Sequence, residues 1–186
     1  MDGTITRSVH DFSVIRKRLG LAPKAPILES VDEMSPSDRE KALQIVANWE
    51  QELVQQAEAQ PGVLRLLTHL QNKGCHLGVL TRNLRSLALD TLNTIDAADF
   101  FDPMDVLGRD SAEPKPSPQG IQVLLSRWNA KPEETVMVGD YLFDVQSGRA
   151  AGTATVLLDP KQRGIGSQFA DLVITEIDEL FEIVSR

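Results

Sequence analysis

The order of apolar and polar positions divides the chain into a helical N-terminal third and a longer segment of alternating strands and helices. A first helix is predicted from Asp11 to Leu19, followed by a Pro-rich connector. A second helix has a clear start, because Ser35 can cap it and Pro36 occupies the first turn, where its missing N–H costs no hydrogen bond. Its apolar residues recur at steps of three and four and predict one buried stripe: Ala42, Ile45, Val46, Trp49, Leu53 and Ala57. This helix is expected to end before Pro61.

After Pro61 the pattern changes to short apolar runs separated by amphipathic helices. Strands are predicted at 75–81, 104–108, 135–139, 154–158 and 171–175. Helices are predicted at 63–70, at 84–94, after 118, after 142 and at the C-terminal end. Strands separated by helices of this length favour parallel βαβ units, that is, an α/β fold with helices on both faces of a sheet.

Polar residues follow several of these strands, at the sheet edge where ligands bind in such folds. Thr81 and Asp140 each end a strand, and Lys115 lies between two prolines after a third. Each has an ordinary alternative: Thr81 can cap a helix, Lys115 can be a solvated loop residue, and Asp140 and Asp144 can line the first turn of a helix. The pair Asp2-Gly3 can likewise form a simple turn. Their convergence on one edge predicts a site.

The net charge and the cysteine content argue against several classes of binding partner and bear on the cellular location. The net charge is -8, from 27 acidic and 19 basic residues, which argues against a nucleic-acid or membrane-surface binder. The single cysteine, Cys75, permits no intramolecular disulfide and is expected to be buried at the start of a strand. No apolar run approaches the roughly 20 residues that span a bilayer, and the N-terminus lacks signal-peptide features. The expected location is the cytoplasm.

In chain order, the four polar groups resemble the four motifs of the haloacid dehalogenase superfamily. They are Asp2-Gly3-Thr4, the strand-ending Thr81, Lys115-Pro116, and Gly139-Asp140 with Asp144. The resemblance implies a Rossmann-like parallel sheet with helices on both faces, formed by 1–10 and 61–186. Residues 11–60 would form a small α-helical cap inserted after the first motif. The segments 81–83 and 114–116 resemble the subgroup that includes phosphoglycolate phosphatases.

The residue types fit phosphoryl transfer, which needs a nucleophile, an acid and positive charge for the equatorial oxygens. Lys115 supplies charge, and Thr81 with nearby backbone N–H groups holds the phosphoryl oxygens. The neighbouring Arg82 and Asn83 are further candidates for substrate binding. The metal candidates are Asp140 and Asp144: Mg²⁺ favours few carboxylates plus water, and Asp144, one helical turn after Asp140, can steady the metal's water or Lys115.

The resemblance assigns Asp2 as the general acid/base, with its carbonyl also touching Mg²⁺. An aspartate there favours phosphate monoester hydrolysis over cleavage of carbon–halogen or carbon–phosphorus bonds. The predicted function is therefore a Mg²⁺-dependent phosphatase that acts on a small phosphorylated metabolite through an aspartyl-phosphate. In capped relatives the cap selects the substrate, which makes Arg16-Lys17-Arg18 and 21–30 candidates, although the basic run can also be a solvated helix face. Trp49 is expected to pack in the core of the cap.

One part of the family pattern is not in this chain. The first motif of the family is Asp-x-Asp-Gly-Thr after an apolar strand, and Met1 stands at x. The nucleophile would be the residue before Met1, so a chain that begins at Met1 is expected to be inactive. Either the start lies upstream or the chain was shortened, or else Met1 is genuine in a degenerate relative that binds a phosphorylated ligand. Without the first strand, the sheet is expected to be distorted or to find a substitute pairing, for instance in a homodimer or strand-swapped oligomer.

Overall fold

Three helices near the N-terminus pack around a small core of their own. They appear in a computed structural model that describes residues 1–8 and 11–185, so the predicted boundary at residue 10 and the C-terminal residue 186 lie outside the described residues. The helices are α1 (Phe12–Arg18), α2 (Ile27–Asp32) and α3 (Pro36–Val54). Ile15, Val46 and Trp49 form the buried centre of this core. Trp49 therefore packs in a core, as predicted, and the three helices that form this core are called the cap from here on.

Helix α3 begins as predicted but buries a slightly different stripe. The Ser35 hydroxyl accepts a hydrogen bond from the Asp38 amide, and Pro36 is the first helical residue. The helix ends at Val54, so Ala57, which was predicted to belong to the stripe, lies beyond it and packs against the core of the α/β region instead. The buried face also carries a charged residue, Glu50.

The Pro-rich connector between α1 and α3, which contains the candidate segment 21–30, is partly helical rather than wholly irregular. Residues 27–32 form α2, because Ile27 and Val31 lie one turn apart. Val31 is fully buried, and Ile27 packs against the core formed by Ile15, Val46 and Trp49. A single apolar pair in a short segment gives too little periodicity to predict a helix.

The rest of the described chain alternates strands and helices in the predicted order. The helices are α4 (Val63–Asn72), α5 (Arg85–Thr94), α6 (Gln119–Trp128), α7 (Leu142–Ala151) and α8 (Ile177–Val184). The strands are β1 (Val79–Leu80), β2 (Val106–Leu107), β3 (Val136–Gly139), β4 (Ala154–Leu158) and β5 (Leu172–Ile174). Across residues 1–8 and 11–185, no helix has both the length and the apolar character that a bilayer crossing requires.

The parallel strands form two sheets rather than one. Strand β1 pairs with β2, and β4 lies between β3 and β5, with every pairing parallel. A cleft of about 520 Å³ separates the sheets and is lined by residues of β1 and β3 together with Met1. The sheet is thus divided between β1 and β3, which is a distortion of the kind expected from the sequence. Apolar side chains of α4, α6 and α8 also line the cleft.

The burial predicted for Cys75 is wrong: its side chain is exposed and borders the cleft. Strand β1 begins only at Val79, because β2 offers a ladder of two residues and the other edge of β1 faces the cleft. The residues before Val79 therefore lack the pairing that would have extended the strand back to Cys75. His76, which follows Cys75 in the chain, stacks on Trp128 with ring centroids 5.7 Å apart.

Candidate active site

A tight N-terminal turn brings the first motif to the edge of β3. The Met1 carbonyl accepts hydrogen bonds from the amides of Thr4, Ile5 and Thr6, at 3.1, 2.8 and 3.2 Å. Gly3 has φ +80°, and a Cβ at this position would lie 2.2 Å from a carboxylate oxygen of Asp140. Glycine is therefore required for both the turn and its approach to Asp140. The Thr4 hydroxyl also donates to Asp140 across 3.4 Å.

The same turn meets the loop that follows β1. The Asn83 side-chain amide donates to the Asp2 carboxylate at 3.0 Å. The Asn83 backbone N–H donates to the Thr81 hydroxyl at 3.2 Å. Thr81 is buried, and its amide continues the ladder to Leu107. Asp2, Thr81 and Asn83, three of the predicted site residues, are therefore joined by hydrogen bonds.

Lys115 is buried and directly bonded to Asp144, so its alternative as a solvated loop residue is wrong. Its ammonium group donates to the Leu80 carbonyl at 2.9 Å and to Oδ1 of Asp144 at 2.5 Å. The other carboxylate oxygen of Asp144 accepts from the Tyr141 amide at 3.0 Å and so caps α7. Asp144 therefore lines the first turn of α7, which was the ordinary alternative considered for it, and it also steadies Lys115, as predicted. A Cβ at Gly139 would lie 2.1 Å from Cβ of Asp144, which explains the glycine before Asp140.

Burial and close charges shift the pKa values of this cluster. Burial works against ionisation of Asp144, but Lys115 and the Met1 amino group hold the pKa of its carboxyl below the usual range. Burial raises the pKa of Asp140, and the charge of Asp144 adds to this, while the Met1 amino group and Lys115 oppose it. Burial, and then Lys115, lower the pKa of the Met1 amino group. The site is therefore a partly desolvated cluster of opposite charges at the carboxyl ends of β1 and β3.

Asp140 is the carboxylate of this cluster best suited to a hard cation. Its burial disfavours the ionised form, and a bound cation would offset that penalty. Both oxygens of Asp144 are already engaged by Lys115 and Tyr141. No group of three or more His, Cys, Asp or Glu side chains among residues 1–8 and 11–185 is arranged to hold a metal ion. Mg²⁺ can be bound through one or two carboxylates with water and substrate oxygens, so the donor set is compatible with it.

Two arginines connect this site to the helical cap. The Arg82 guanidinium donates to Glu29 of α2 at 2.7 Å and lies 4.9 Å from the ring centroid of Phe143. Arg109 forms a two-point ion pair with Glu50 of α3, at 2.8 and 3.0 Å. It also donates to the Arg82 carbonyl at 2.8 Å. Of the predicted site residues, Arg82 is thus the one directed towards the cap.

Glu50 and Arg109 were not among the site residues predicted from the sequence. Glu50 lies on the buried face of α3, among Val46, Trp49 and Val54. A carboxylate on an apolar helix face was the available signal, because buried charges are normally paired. Arg109 follows β2 at the same sheet edge as Thr81.

The basic run of α1 is engaged within the cap. Arg16 donates through Nε to the Ala25 carbonyl at 2.9 Å. Arg18 forms an exposed two-point pair with Glu52 of α3, at 3.2 and 3.0 Å. Lys17 is exposed. Two of these three residues therefore stabilise contacts of the helical segment with itself.

The chain is similar to known proteins over most of its length. Residues 11–158 match the family model described as haloacid dehalogenase-like hydrolase. A haloacid dehalogenase-like hydrolase domain-containing protein of Arabidopsis thaliana is 33% identical over 175 residues, covering 88% of this chain and 70% of the relative. The pyrophosphatase PpaX of Bacillus pumilus is 34% identical over 125 residues, which cover 66% of this chain and 57% of the PpaX chain. Among solved structures, a hydrolase from Pseudomonas syringae superposes with a TM-score of 0.81 at 20% identity, covering 98% of this chain and 95% of that one.

Proposed function

The chain belongs to the haloacid dehalogenase-like hydrolase family, and from this premise we propose that it is a Mg²⁺-dependent phosphatase acting on a small phosphorylated metabolite. The observation that carries the proposal is the buried Lys115–Asp144 pair beside Asp140. A buried ammonium group held next to an acidic cation site is suited to the charge that develops in phosphoryl transfer. A relative named as a pyrophosphatase also supports chemistry at phosphorus.

Each residue of the site has a role in this proposal. Thr81 and the backbone N–H groups after it bind the phosphoryl oxygens, and Lys115 neutralises part of their charge. Asp144 positions Lys115 through its hydrogen bond. Asp2 donates the proton to the leaving oxygen, and Asn83, which donates to its carboxylate, fixes the orientation of that group.

The metal would be held by the Asp140 carboxylate and the Asp2 carbonyl. When bound, Mg²⁺ would neutralise negative charge on the phosphoryl group. Asp144 contributes from outside the coordination sphere, because its oxygens are bonded to Lys115 and to the Tyr141 amide.

The aspartyl-phosphate route needs a nucleophile directly before Met1. That position adjoins the site, because the Met1 amino group is buried beside Lys115, Asp140 and Asp144. A chain that begins at Met1 offers no carboxylate there, and loss of the nucleophile removes the covalent route. Such a chain is therefore expected to be inactive or nearly so.

The test compares three chains by phosphate release from an aryl phosphate, with Mg²⁺ and with a chelator. One begins at Met1, and two carry an extension of about five apolar residues, a usual strand length, that ends in Asp or in Asn. Magnesium-dependent phosphate release is expected only from the chain whose N-terminal extension places Asp directly before Met1. The chain with Asn at that position controls for the extension itself. Comparable turnover by the chain that begins at Met1 would contradict the aspartyl-phosphate route.

A second candidate function is a phospho-ligand-binding module without turnover. It is favoured by the polar cluster of Thr81, Lys115 and Asp140, which is intact in a chain that begins at Met1. Its signature is calorimetric binding of orthophosphate by all three chains with no release from any of them. For either function we propose a cytoplasmic location, which the exposed unpaired thiol of Cys75 supports.

A further inference from the structure

Arg82 occupies the junction between the phosphate-binding loop and the cap. Its neighbours in the chain are fixed at the site, Thr81 by burial and Asn83 by its hydrogen bond to Asp2. Its side chain leaves this loop, lies over the ring of Phe143 and reaches Glu29. The guanidinium is therefore anchored on two sides, by Glu29 of the cap and by Phe143, which precedes Asp144 in the chain.

The two arginine–glutamate pairs of the junction differ in burial. The side chains of Arg109 and Glu50 are 10% and 7% exposed, whereas those of Arg82 and Glu29 are 22% and 45% exposed. Removing Glu50 would leave a buried charge uncompensated, but Glu29 can return to water. Only the Arg82–Glu29 pair can therefore exchange its carboxylate for that of a ligand without unfolding the junction.

The contact with Glu29 shows which kind of ligand group this guanidinium binds. Its carboxylate binds one terminal nitrogen of Arg82 at 2.7 Å. A guanidinium presents paired N–H donors that match a carboxylate or a phosphate group. The site is otherwise rich in negative charge, with Asp2, Asp140 and Asp144, in a chain of net charge -8, so a ligand with two anionic groups needs a second local cation.

We propose that Arg82 binds a second anionic group of the substrate, a carboxylate or a phosphate, and that Glu29 of the cap occupies the guanidinium until the substrate displaces it. The inference rests on the proposed function for the position of the first phosphate. The substrate is then a short phosphate compound with a second anionic group. Glu29 of the cap is a competitor for Arg82 within the same chain.

The experiment is calorimetric binding in Mg²⁺, on the chain that begins at Met1, so that turnover does not interfere. The probes are 2-phosphoglycolate, pyrophosphate and ethyl phosphate, which carry a carboxylate, a second phosphate and an uncharged tail. Arg82→Gln is expected to weaken binding of one or both doubly anionic probes about tenfold or more, the effect of a lost charge-assisted hydrogen bond. Binding of ethyl phosphate should change little. The probe that suffers the loss identifies the second group.

Glu29→Gln is the complementary variant, and it should tighten the same doubly anionic probes while leaving ethyl phosphate unchanged. Arg39→Gln is the control, since it removes an arginine of the cap itself from an exposed pair, with Asp32 at 2.6 Å, and should alter no affinity. Equal weakening of all three probes by Arg82→Gln, or no weakening, overturns the second-anion site. Failure of Glu29→Gln to tighten binding overturns the competition. If the unmodified chain binds no probe, including ethyl phosphate, the proposed function fails, and the inference fails with it.

Discussion

Lys115 and Asp144 form a buried ion pair that joins the loop before α6 to the first turn of α7. Both side chains are 7% exposed, and each has a second partner, the Leu80 carbonyl for the ammonium and the Tyr141 amide for the carboxylate. Such a pair is held by geometry, because the hydrogen bonds offset the loss of hydration of two charges. The same lysine is the proposed phosphate ligand, so stability and activity share one group.

Replacement of Lys115 by Met should lower both stability and activity. Removal of one partner leaves the other charge buried and uncompensated, which destabilises proteins by about 3–5 kcal/mol. The measurement is urea unfolding of the Lys115→Met chain. Phosphate release is measured in parallel on the same variant with the N-terminal extension that places Asp before Met1.

A double variant, Lys115→Met with Asp144→Leu, separates the two effects. An apolar replacement of both partners is often close to neutral, so the double variant should recover most of the lost stability while remaining inactive. Recovery of activity along with stability would show that the lysine acts only on folding.

Glu50 and Arg109 should account for much of the attachment of the cap to the core. Their two-point pair is almost fully buried. Burial raises the pKa of Glu50, while Arg109 opposes this shift. Glu50→Leu leaves the guanidinium without a counter-charge and is expected to reduce the free energy of unfolding by about 3–5 kcal/mol.

Glu52→Gln on the same helix is the matched control for the Glu50 variant. Glu52 also pairs with an arginine, Arg18, but in solvent, so its replacement should change the urea midpoint little. Equal effects of the two substitutions would show that burial of the Arg109 pair has no energetic consequence.

The sequence was sufficient for the order of the elements and for the positions of the candidate site residues. Thr81 and Asp140 end apolar runs, and Ser35-Pro36 starts a helix, so local chemistry determines them. The division of the sheet between β1 and β3 involves residues far apart in the chain, so no local sequence pattern predicts it. The same holds for the Glu50–Arg109 pair, whose members are 59 positions apart. Burial of Cys75 was predicted from a strand whose length depends on pairing partners, which explains the error.

Exposure of Cys75 predicts rapid labelling of the native protein. The side chain borders the cleft and is accessible, so one thiol per chain should react with an aromatic disulfide reagent without denaturant. Burial at the start of a strand would instead make the reaction wait for unfolding. Absorbance of the released thiolate, with and without urea, distinguishes the two. A large acceleration by urea would contradict the exposed position.

Asp171 should make folding sensitive to acid. The Thr155 hydroxyl donates to its carboxylate at 2.7 Å and the Thr155 amide at 2.8 Å, and these bonds hold the pKa of Asp171 below its usual range. A group whose pKa is lower in the folded state contributes stability above the unfolded pKa of about 3.9, and that contribution is lost as the pH falls through the folded value. Asp171→Asn should therefore lower the urea midpoint at pH 7, and its difference from the unmodified chain should shrink below about pH 4.

Glu182→Gln removes one exposed carboxylate of α8 and serves as the control for net charge. A difference between the Asp171→Asn and unmodified chains that stays constant from pH 7 to acid would mean that the Thr155 bonds do not favour the ionised form.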